Sequence, residues 1–264
     1  MKIGINGICG RMGRSVLDIL LKKGHELSAA FDSPSSDWLG KDAGELISQK
    51  ELGVKVSAFA AEAFKKCDCV IDFSSAASSM GLLGASQTQK IPLVIGTTGF
   101  SDEQKAEIER AASATALLFS PNMSVAVNLL FKLTEFAAAA LKDGFDAEIL
   151  EIHHKLKKDA PSGTAKRLAE IVKDNMRGMG DARILTGRGG IDCERGDSEI
   201  GVMALRGGDA VGEHTVYFIG EGERLELTIR STKRDTLASG AVLAAEFLAG
   251  KGAGLYSMYD VIGL

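Results

Sequence analysis

The fold class can be inferred first from one segment, Lys2-Ile3-Gly4-Ile5-Asn6-Gly7-Ile8-Cys9-Gly10-Arg11-Met12-Gly13. A short apolar run leads directly into glycines at every third position, and an amphipathic helical segment, 11–23, follows. Glycines between a strand and a helix let the backbone turn tightly and approach a pyrophosphate, whose charge the N–H groups at the helix N-terminus meet. The position therefore predicts a dinucleotide-binding loop. The spacing G-x-x-G-x-x-G differs from the commoner G-x-G-x-x-G, and a glycine pattern alone is a weak indicator.

Two further polar segments follow predicted strands. Asp32, after the second strand, is suited to accept hydrogen bonds from the hydroxyls of an adenosine ribose. The alternative is that Asp32-Ser33-Pro34-Ser35 is only an Asx turn. Gly96-Thr97-Thr98-Gly99 follows the fifth strand, where ligands bind in open α/β sheets, but a plain strand-to-helix turn has the same pattern. The glycine loop upstream favours cofactor binding for both.

The first 120 residues alternate short apolar runs with amphipathic stretches, which is typical of βαβ units. We predict strands at 2–5, 27–31, 54–56, 69–73, 93–95 and 117–119. The predicted helices are 11–23, 76–89 and 102–112, the last with a capping-box spacing between Ser101 and Gln104. The fold class predicted for this part is a Rossmann-like, doubly wound α/β sheet.

After Pro121 the pattern changes. A long apolar helix, 125–141, precedes strand-like runs at 147–154, 200–205, 214–219 and 224–231. Strands that follow strands indicate a C-terminal α+β domain with a mostly antiparallel sheet. A last helix is predicted at 236–248, and periodicity does not identify its partner.

Composition excludes several classes of function. A net charge of -4 gives no basic excess for nucleic acid, and no apolar run has the length of a membrane span. The N-terminus lacks the pattern of a secretory signal, so we expect a cytoplasmic protein. The cysteines have no zinc-ligand spacing, and we expect them to be reduced, mostly buried and not part of a metal site. A small-molecule ligand is the expected partner.

A dense group of cations lies at Glu151-Ile152-His153-His154-Lys155-Leu156-Lys157-Lys158-Asp159-Ala160-Pro161-Ser162-Gly163-Thr164-Ala165. Such a group suits a small molecule with several negative charges. If the strand continued, His153, Lys155 and Lys157 would share one face. Gly163 and Thr164 at a helix start would present N–H groups and a hydroxyl to a carboxylate. The alternative is a solvated strand end with a capped helix beyond it.

This stretch resembles the active-site segment of dihydrodipicolinate reductases, whose form is E-x-H-H-x-x-K-x-D-A-P-S-G-T-A. The resemblance extends over nearly the whole chain. It includes the loop Gly7–Gly13 and the segments 96–100, 120–124, 206–215 and 254–260. It implies an NAD(P)H-dependent reduction of 4-hydroxy-tetrahydrodipicolinate, a dicarboxylate, in lysine and diaminopimelate biosynthesis. It also implies a dinucleotide-binding domain at 1–123 with 235–264, a substrate-binding domain at 124–234, and a homotetramer.

The resemblance also implies roles for individual residues. His153 would donate or accept a proton, Lys157 would donate one, and His154, Gly163 and Thr164 would contact the substrate. The implied cofactor-binding residues are Gly7, Ile8, Cys9, Gly10, Arg11, Met12, Gly13, Asp32, Gly96, Thr97, Thr98, Ser120, Pro121, Asn122 and Met123.

The chain departs from the family pattern at three places. Ser33 follows Asp32 where some relatives carry an arginine that can bind the 2′-phosphate of NADPH, so we predict that NADH is at least as good a cofactor as NADPH. Ile229-Arg230 replaces a His-Lys pair, and Ile191-Asp192-Cys193 replaces a loop containing Thr-Gly. Two rival functions stay open: another reductase with two domains, and a dinucleotide sensor without catalysis. The segment 151–165 discriminates against the first, and retention of His153 and Lys157 argues against the second.

Overall fold

The computed structural model describes residues 1–141, 144–233 and 235–264. The chain folds into two compact units, Met1–Val125 with Asp235–Leu264, and Ala126–Arg234. Each unit contains one sheet, and each is described separately.

A seven-stranded parallel sheet forms the first unit, with strand order β12-β6-β5-β4-β1-β2-β3. The order reverses on either side of β1, which is the doubly wound arrangement predicted from the sequence. The strands are β1 (Lys2–Asn6), β2 (Glu26–Phe31), β3 (Val56–Ser57), β4 (Cys69–Asp72), β5 (Leu93–Ile95), β6 (Ala116–Phe119) and β12 (Gly254–Tyr256).

The helices of this unit are α1 (Arg11–Lys22), α2 (Ala61–Phe64), α3 (Ala76–Gln89), α4 (Asp102–Ala111), α7 (Asp235–Leu248) and α8 (Met258–Ile262), with a 3₁₀ turn at Ala43–Ile47. Helix α4 begins with the predicted capping box of Ser101 and Gln104. Helix α7 packs on α1 and on β4, β5 and β6, so the last helix lies in the first unit. Its Gly240 lets α7 approach the segment after β6, because a Cβ there would lie 1.7 Å from the carbonyl oxygen of Met123.

The second unit contains a five-stranded sheet in the order β11-β10-β7-β9-β8. Strands β7 (Phe145–His153), β10 (Gly212–Gly220) and β11 (Arg224–Ser231) pair antiparallel, as predicted, while β9 (Glu199–Arg206) and β8 (Arg183–Leu185) add parallel pairings. Helix α5 (Val125–Ala140) precedes the sheet, and helix α6 (Gly163–Asn175) packs on β7, β9 and β10.

One predicted strand needs correction, and two strands were missed. The third strand lies at Val56–Ser57 instead of 54–56, and strands β8 and β12 were not predicted. The four cysteines are free thiols, but Cys193 is exposed and Cys9 is only half-buried, so the expectation that they are mostly buried holds for Cys67 and Cys69 alone. Among the described residues, no helix has both the length and the apolar character needed to span a bilayer.

Candidate active site

The glycine loop lies between β1 and α1, and two of its glycines are required by contact. Gly7 has a φ of +76°. A Cβ on Gly7 would lie 2.2 Å from the carbonyl oxygen of Phe73, and a Cβ on Gly13 would lie 2.2 Å from that of Gly7. The first turn of α1 is therefore packed directly on the loop backbone, and α1 starts next to the end of β1. This geometry suits a pyrophosphate at the helix N-terminus.

Asp32 is held by the loop. Its Oδ2 accepts a hydrogen bond from the Cys9 amide at 2.8 Å, and its Oδ1 accepts one from the Ser33 amide at 2.8 Å. Each carboxylate oxygen has a second lone pair that can accept from a ribose hydroxyl. The structure thus brings together two segments that the sequence separates, as the cofactor prediction requires.

A cavity of about 580 Å³ opens beside this loop, within the volume range of small-molecule sites. The segments after β1, β2, β3 and β4 contribute its walls, which include the half-buried ring of Phe73 and the exposed ring of Phe59. The lining residues are Asn6, Gly7, Gly10, Asp32, Ser33, Pro34, Ala58, Phe59, Phe73, Ser74, Ser75 and Ser78. The cradle at Gly7 and Gly13, the carboxylate of Asp32 and the cavity together fit an adenine dinucleotide.

A buried carboxylate, Asp72, organises the strand ends beneath the cavity. Asn6 Nδ2 and Ser74 Oγ donate to its Oδ1 at 2.8 Å and 2.6 Å, and Thr97 Oγ1 and Ser79 donate to its Oδ2, the former at 3.0 Å. Burial raises the pKa of Asp72, and these four donors offset that effect only in part. The network fixes the Thr97 side chain, one of the predicted cofactor residues.

The remaining predicted cofactor residues follow β5 and β6 at the same sheet edge. The Gly96 amide donates to the Asp72 carbonyl at 2.9 Å, and the Ser120 amide donates to that of Ile95 at 3.2 Å. Ser120 Oγ donates to the carbonyl of Asn122 at 2.8 Å. Thr98 and Pro121 are exposed, and Met123 is buried. In the loop itself Ile8 is buried, Arg11 is exposed and Met12 is half-buried.

In the second unit, the carboxylate of Glu151 is fully buried at the end of β7. Arg206 at the end of β9 binds it in bidentate fashion, with 2.9 Å from each guanidinium nitrogen to its oxygen. The Ser162 amide donates to Oε1 at 3.0 Å, and Nδ1 of His153 is hydrogen-bonded to Oε2. Burial would raise the pKa of Glu151, but these partners outweigh burial and leave its pKa below the ordinary value.

His153 is buried, with 9% of its surface exposed, and it lies on the same face of β7 as Glu151. Burial lowers its pKa, Glu151 acts in the opposite direction, and the nearby charges of Lys157 and Arg206 lower it further; the net shift is downward. A Cβ at Gly212 would lie 3.0 Å from Nε2, so any other residue there would force the ring to shift by a few tenths of an ångström. With Nδ1 on the carboxylate, Nε2 is the nitrogen that remains for proton transfer.

A second buried histidine packs against the first. The rings of His214 and His153 meet edge to face, with centroids 5.2 Å apart. Burial and the neighbouring His153 lower the pKa of His214 to about 4, so it is neutral at physiological pH. In the register of the β7–β10 pair, His214 lies opposite Glu151.

Strand β7 ends at His153, so alternation does not place Lys155 and Lys157 on its face. A turn follows, and the Lys157 ammonium forms an ion pair with Asp159 at 2.9 Å. His154 is half-buried at the start of that turn. The cations are therefore gathered by a loop and not by a continued strand.

Helix α6 begins at Gly163, with Ser162 as its N-cap accepting from the Ala165 amide at 3.3 Å. First-turn amides of a helix have no acceptor within the helix, and they favour anions. Gly163 and Thr164 occupy that turn, as predicted. Because Ser162 is tied to Glu151, the helix start and His153 share one carboxylate.

Several residues of the site were not singled out from the sequence. Glu151 was signalled by its position two residues before His153 on a strand. Arg206 and His214 lie in the segment 206–215 that resembles the family, but no role was assigned to them because only strand pairing brings them to His153. Asp72 carried no signal because it continues an apolar run. Among the described residues, no cluster of three His, Cys, Asp or Glu side chains could hold a metal ion.

The first unit has a parallel sheet with a glycine loop, and the second has a sheet with a buried histidine–carboxylate pair. These two features define the class of two-domain, dinucleotide-dependent oxidoreductases. The family model described as dihydrodipicolinate reductase, N-terminus, matches residues 1–123, and its C-terminus counterpart matches residues 126–262. The chain belongs to the dihydrodipicolinate reductase family.

Curated relatives agree over the full length. Proteins named 4-hydroxy-tetrahydrodipicolinate reductase are 45% identical in Aromatoleum aromaticum, 46% in Burkholderia lata and 48% in Anaeromyxobacter sp.. All of this chain and 96%, 100% and 98% of those proteins are covered. A solved dipicolinate-bound dihydrodipicolinate reductase from Paenisporosarcina sp. TG-14 has the same fold, with a TM-score of 0.76, 23% identity and 99% of each chain covered. An amine dehydrogenase from Mycobacterium smegmatis is also similar in fold, with a TM-score of 0.65, 14% identity, and 97% of this chain and 95% of that one covered.

Proposed function

We propose that this protein reduces 4-hydroxy-tetrahydrodipicolinate to tetrahydrodipicolinate with NAD(P)H, in lysine and diaminopimelate biosynthesis. The observation that carries the proposal is the arrangement in segment 151–165: a buried Glu151–His153 pair, Lys157 in the adjoining turn, and a helix start at Gly163. It occurs in a chain that matches curated reductases of this name over its whole length. The rival two-domain dehydrogenases share the first domain but not this segment.

We assign cofactor binding to the domain at 1–123 with 235–264. The backbone at Gly7–Gly13 would hold the pyrophosphate, and Asp32 would bind the adenosine ribose. The rest of the dinucleotide would contact the segments Gly96–Thr98 and Ser120–Met123. When bound, the dinucleotide supplies the hydride that reduces the substrate ring. Thr97 is already oriented by Asp72, so this part of the site requires little side-chain ordering on binding.

Substrate binding is assigned to the domain at 124–234. The substrate carries two carboxylates, and the first turn of α6 offers the N–H groups of Gly163 and Thr164 to one of them. His154 and Lys157 add polar and positive groups on the preceding turn. Lys157 is paired with Asp159 in the structure at 2.9 Å; Asp159 is exposed and Lys157 half-buried, so a dicarboxylate can replace this partner at modest cost.

Proton transfer is assigned to His153 and Lys157. Loss of water from the substrate gives a conjugated ring, hydride adds to a ring carbon, and one proton completes the reduction. Nε2 of His153 is suited to handle this proton, because Glu151 holds the opposite side of the ring. The positive charge of Lys157 stabilises electron density that arrives with the hydride.

The cofactor preference is proposed from charge. Asp32 at the ribose position is followed by the exposed Ser33, so the local charge is negative. A 2′-phosphate would be repelled there, whereas ribose hydroxyls can donate to the carboxylate. NADH should therefore serve at least as well as NADPH.

A homotetramer in the cytoplasm is proposed as the working form. Helix α6 covers one face of the five-stranded sheet. The other face presents apolar side chains, with Leu150 and Ile152 half-buried, Leu205 50% exposed and Ile219 38% exposed. A second copy of this chain would bury these side chains. Light scattering of the purified protein should give four times the chain mass of 27.8 kDa, and a monomer would contradict the assignment.

The deciding experiment follows NADH and NADPH oxidation at 340 nm, with substrate generated in situ from pyruvate and aspartate semialdehyde by the preceding synthase. Oxidation that depends on this substrate supports the reductase, and the two rates give the cofactor preference. A folded protein that binds dinucleotide but oxidises neither cofactor would instead be a sensor or act on another substrate.

A further inference from the structure

Glu151 lies at the point where the parts of the substrate domain meet. Its carboxylate receives four hydrogen bonds: from Nδ1 of His153, from both terminal nitrogens of Arg206, and from the Ser162 amide. Arg206 also donates to the carbonyl of Asp159 at 2.8 Å. One buried side chain thereby connects the end of β7, the end of β9, the turn after His153 and the cap of α6.

Stability alone does not account for this arrangement. Replacement of a buried ion pair by apolar side chains of similar volume is often neutral or stabilising, so such a pair is weak support for a purely structural role. The carboxylate also faces the histidine nitrogen that is not available for proton transfer. In metal and catalytic sites, a carboxylate at that position fixes the tautomer and the orientation of the ring.

We propose that Glu151 is a positioning residue of the reductase: it fixes His153 in the tautomer with hydrogen on Nδ1 and holds the start of α6 in register with Nε2 of the same ring. This inference rests on the proposed function for its kinetic consequence, but its structural part concerns the free protein. Arg206 holds the same carboxylate in place with two hydrogen bonds and lowers its pKa, so the carboxylate stays charged beside the imidazole.

Every charged or titratable group packed against His153 enters the pH dependence. Glu151 lies on its own strand, Arg206 on β9, His214 on β10, and Lys157 in the following turn. The carboxylate is the group in this set that raises the pKa of His153, whereas burial, Lys157 and Arg206 lower it. Loss of the carboxylate charge should therefore lower the pKa of His153 further. The part of the pH–activity curve that is set by protonation of His153 (its His153 limb) should then move to lower pH.

The informative variant is Glu151→Gln, which has the same shape and no charge. The carbonyl oxygen of the glutamine still accepts from the Ser162 amide and from one terminal nitrogen of Arg206. The amide group then faces Nδ1 of His153 and the other terminal nitrogen of Arg206, so it donates to Nδ1, imposes the other tautomer and leaves that Arg206 nitrogen without its acceptor. In a serine protease triad, the equivalent loss of charge and tautomer lowers kcat by about 10⁴-fold. We expect kcat to fall by at least about 10²-fold, with a smaller change in KM because the helix cap retains its partner.

A matched control lies on the same strand. Glu148 also forms a bidentate pair with an arginine, Arg188, at 2.8 Å from each nitrogen, but on the other face of β7. Glu148→Gln removes a bidentate carboxylate–arginine pair, to which Arg195 adds a contact at 3.3 Å, without contact to His153. Its pH profile should match that of the wild type, whatever it does to stability.

The experiment has two readouts. With only four histidines in the chain, ¹⁵N-histidine NMR resolves the tautomer, and His153→Gln assigns the signal. Steady-state kinetics measured across a range of pH gives kcat, KM and the position of the His153 limb of the pH–activity curve. The inference is supported if the hydrogen of His153 lies on Nδ1 in the wild type and on Nε2 in Glu151→Gln, and if the variant also shows the kinetic losses given above. Hydrogen on Nε2 in the wild type, or wild-type kcat and limb in the variant, overturns it. A wild type without reductase activity overturns the proposed function instead, and the NMR result still decides the tautomer.

Discussion

Substitution of Gly13 by alanine tests the dinucleotide loop most directly. A Cβ at this position would lie 2.2 Å from the Gly7 carbonyl oxygen and 2.5 Å from Cα of Ile8. Both neighbours are backbone atoms, so the clash is relieved only if α1 moves away from the loop by roughly 1 Å, since a carbon and an oxygen in contact lie about 3.3 Å apart.

The expected magnitude has two opposing parts. Alanine improves helix propensity by up to about 1 kcal/mol, and overpacking typically costs about 1–3 kcal/mol. The net loss of unfolding free energy should therefore be about 0–2 kcal/mol, which a chain of this size survives. Dinucleotide affinity depends on the loop geometry itself, and we expect the Kd for NADH to rise at least about tenfold, or about 1.4 kcal/mol. Calorimetric titration with NADH and thermal unfolding measure the two quantities.

Gly84→Ala is the control for propensity. Gly84 lies within α3, where a Cβ would meet no atom within 4 Å. It should raise the unfolding free energy by up to about 1 kcal/mol and Tm by about 2–4 °C, with an unchanged Kd. If folded Gly13→Ala binds NADH as tightly as Gly84→Ala does, the assignment of the pyrophosphate to this loop is wrong.

Three further predictions concern catalysis, cofactor choice and acid stability. His153→Gln and Lys157→Ala should each lower kcat by about 10²–10⁴-fold, and steady-state rates unchanged in both would remove these residues from the proton transfer. Ser33→Arg should increase kcat/KM with NADPH relative to NADH, because the added cation lies beside the ribose position; an unaltered ratio would mean that this side chain does not face the 2′ position. The pKa of about 4 for buried His214 lies below its unfolded value of about 6.5, so the unfolded state takes up the proton first. The unfolding free energy is therefore at its full value above pH 6.5, where His214 is neutral in both states, and it falls as the pH is lowered toward 4. Between pH 7 and 5 the wild type should lose about 2 kcal/mol of unfolding free energy through this residue. Urea unfolding of His214→Phe should show a pH dependence smaller by that amount, and equal losses in both proteins would contradict the buried neutral state.

Elements with strong local signals were predicted well from the sequence. Helix α3 and strand β11 have the predicted bounds, because Ser75 caps the first and polar turns flank the second. Two short strands at sheet edges were missed for a physical reason: β8 and β12 each contain three residues that are exposed or half-buried, and they exist because a neighbouring strand offers an edge. Strand β5 also contains three residues, but all are apolar and buried, and it was predicted with its observed bounds. The third strand was displaced for the same reason, since only Val56 and Ser57 pair with β2.

The candidate site was predictable where its residues are adjacent in sequence. The run from His153 to Thr164 could be identified because one turn carries its cations and one helix start follows it. Arg206 and His214 were not predictable, because the register of β7 with β9 and β10 determines their neighbours. The end of β7 at His153 likewise depends on the turn that follows it. Because the strand stops there, Lys155 and Lys157 do not share its face with His153, as they would have done in a continued strand.

Two carboxylates, Asp72 and Glu151, are both fully buried at the carboxyl end of a strand, yet their environments differ. Asp72 receives only neutral donors and has a raised pKa, whereas Glu151 is paired with Arg206 and has a lowered one. The two environments differ because Arg206 brings a full positive charge to Glu151 and outweighs the effect of burial, whereas neutral donors offset that effect for Asp72 only in part. Asp72 thereby orients the Thr97 side chain, and Glu151 keeps a negative charge beside the imidazole of His153.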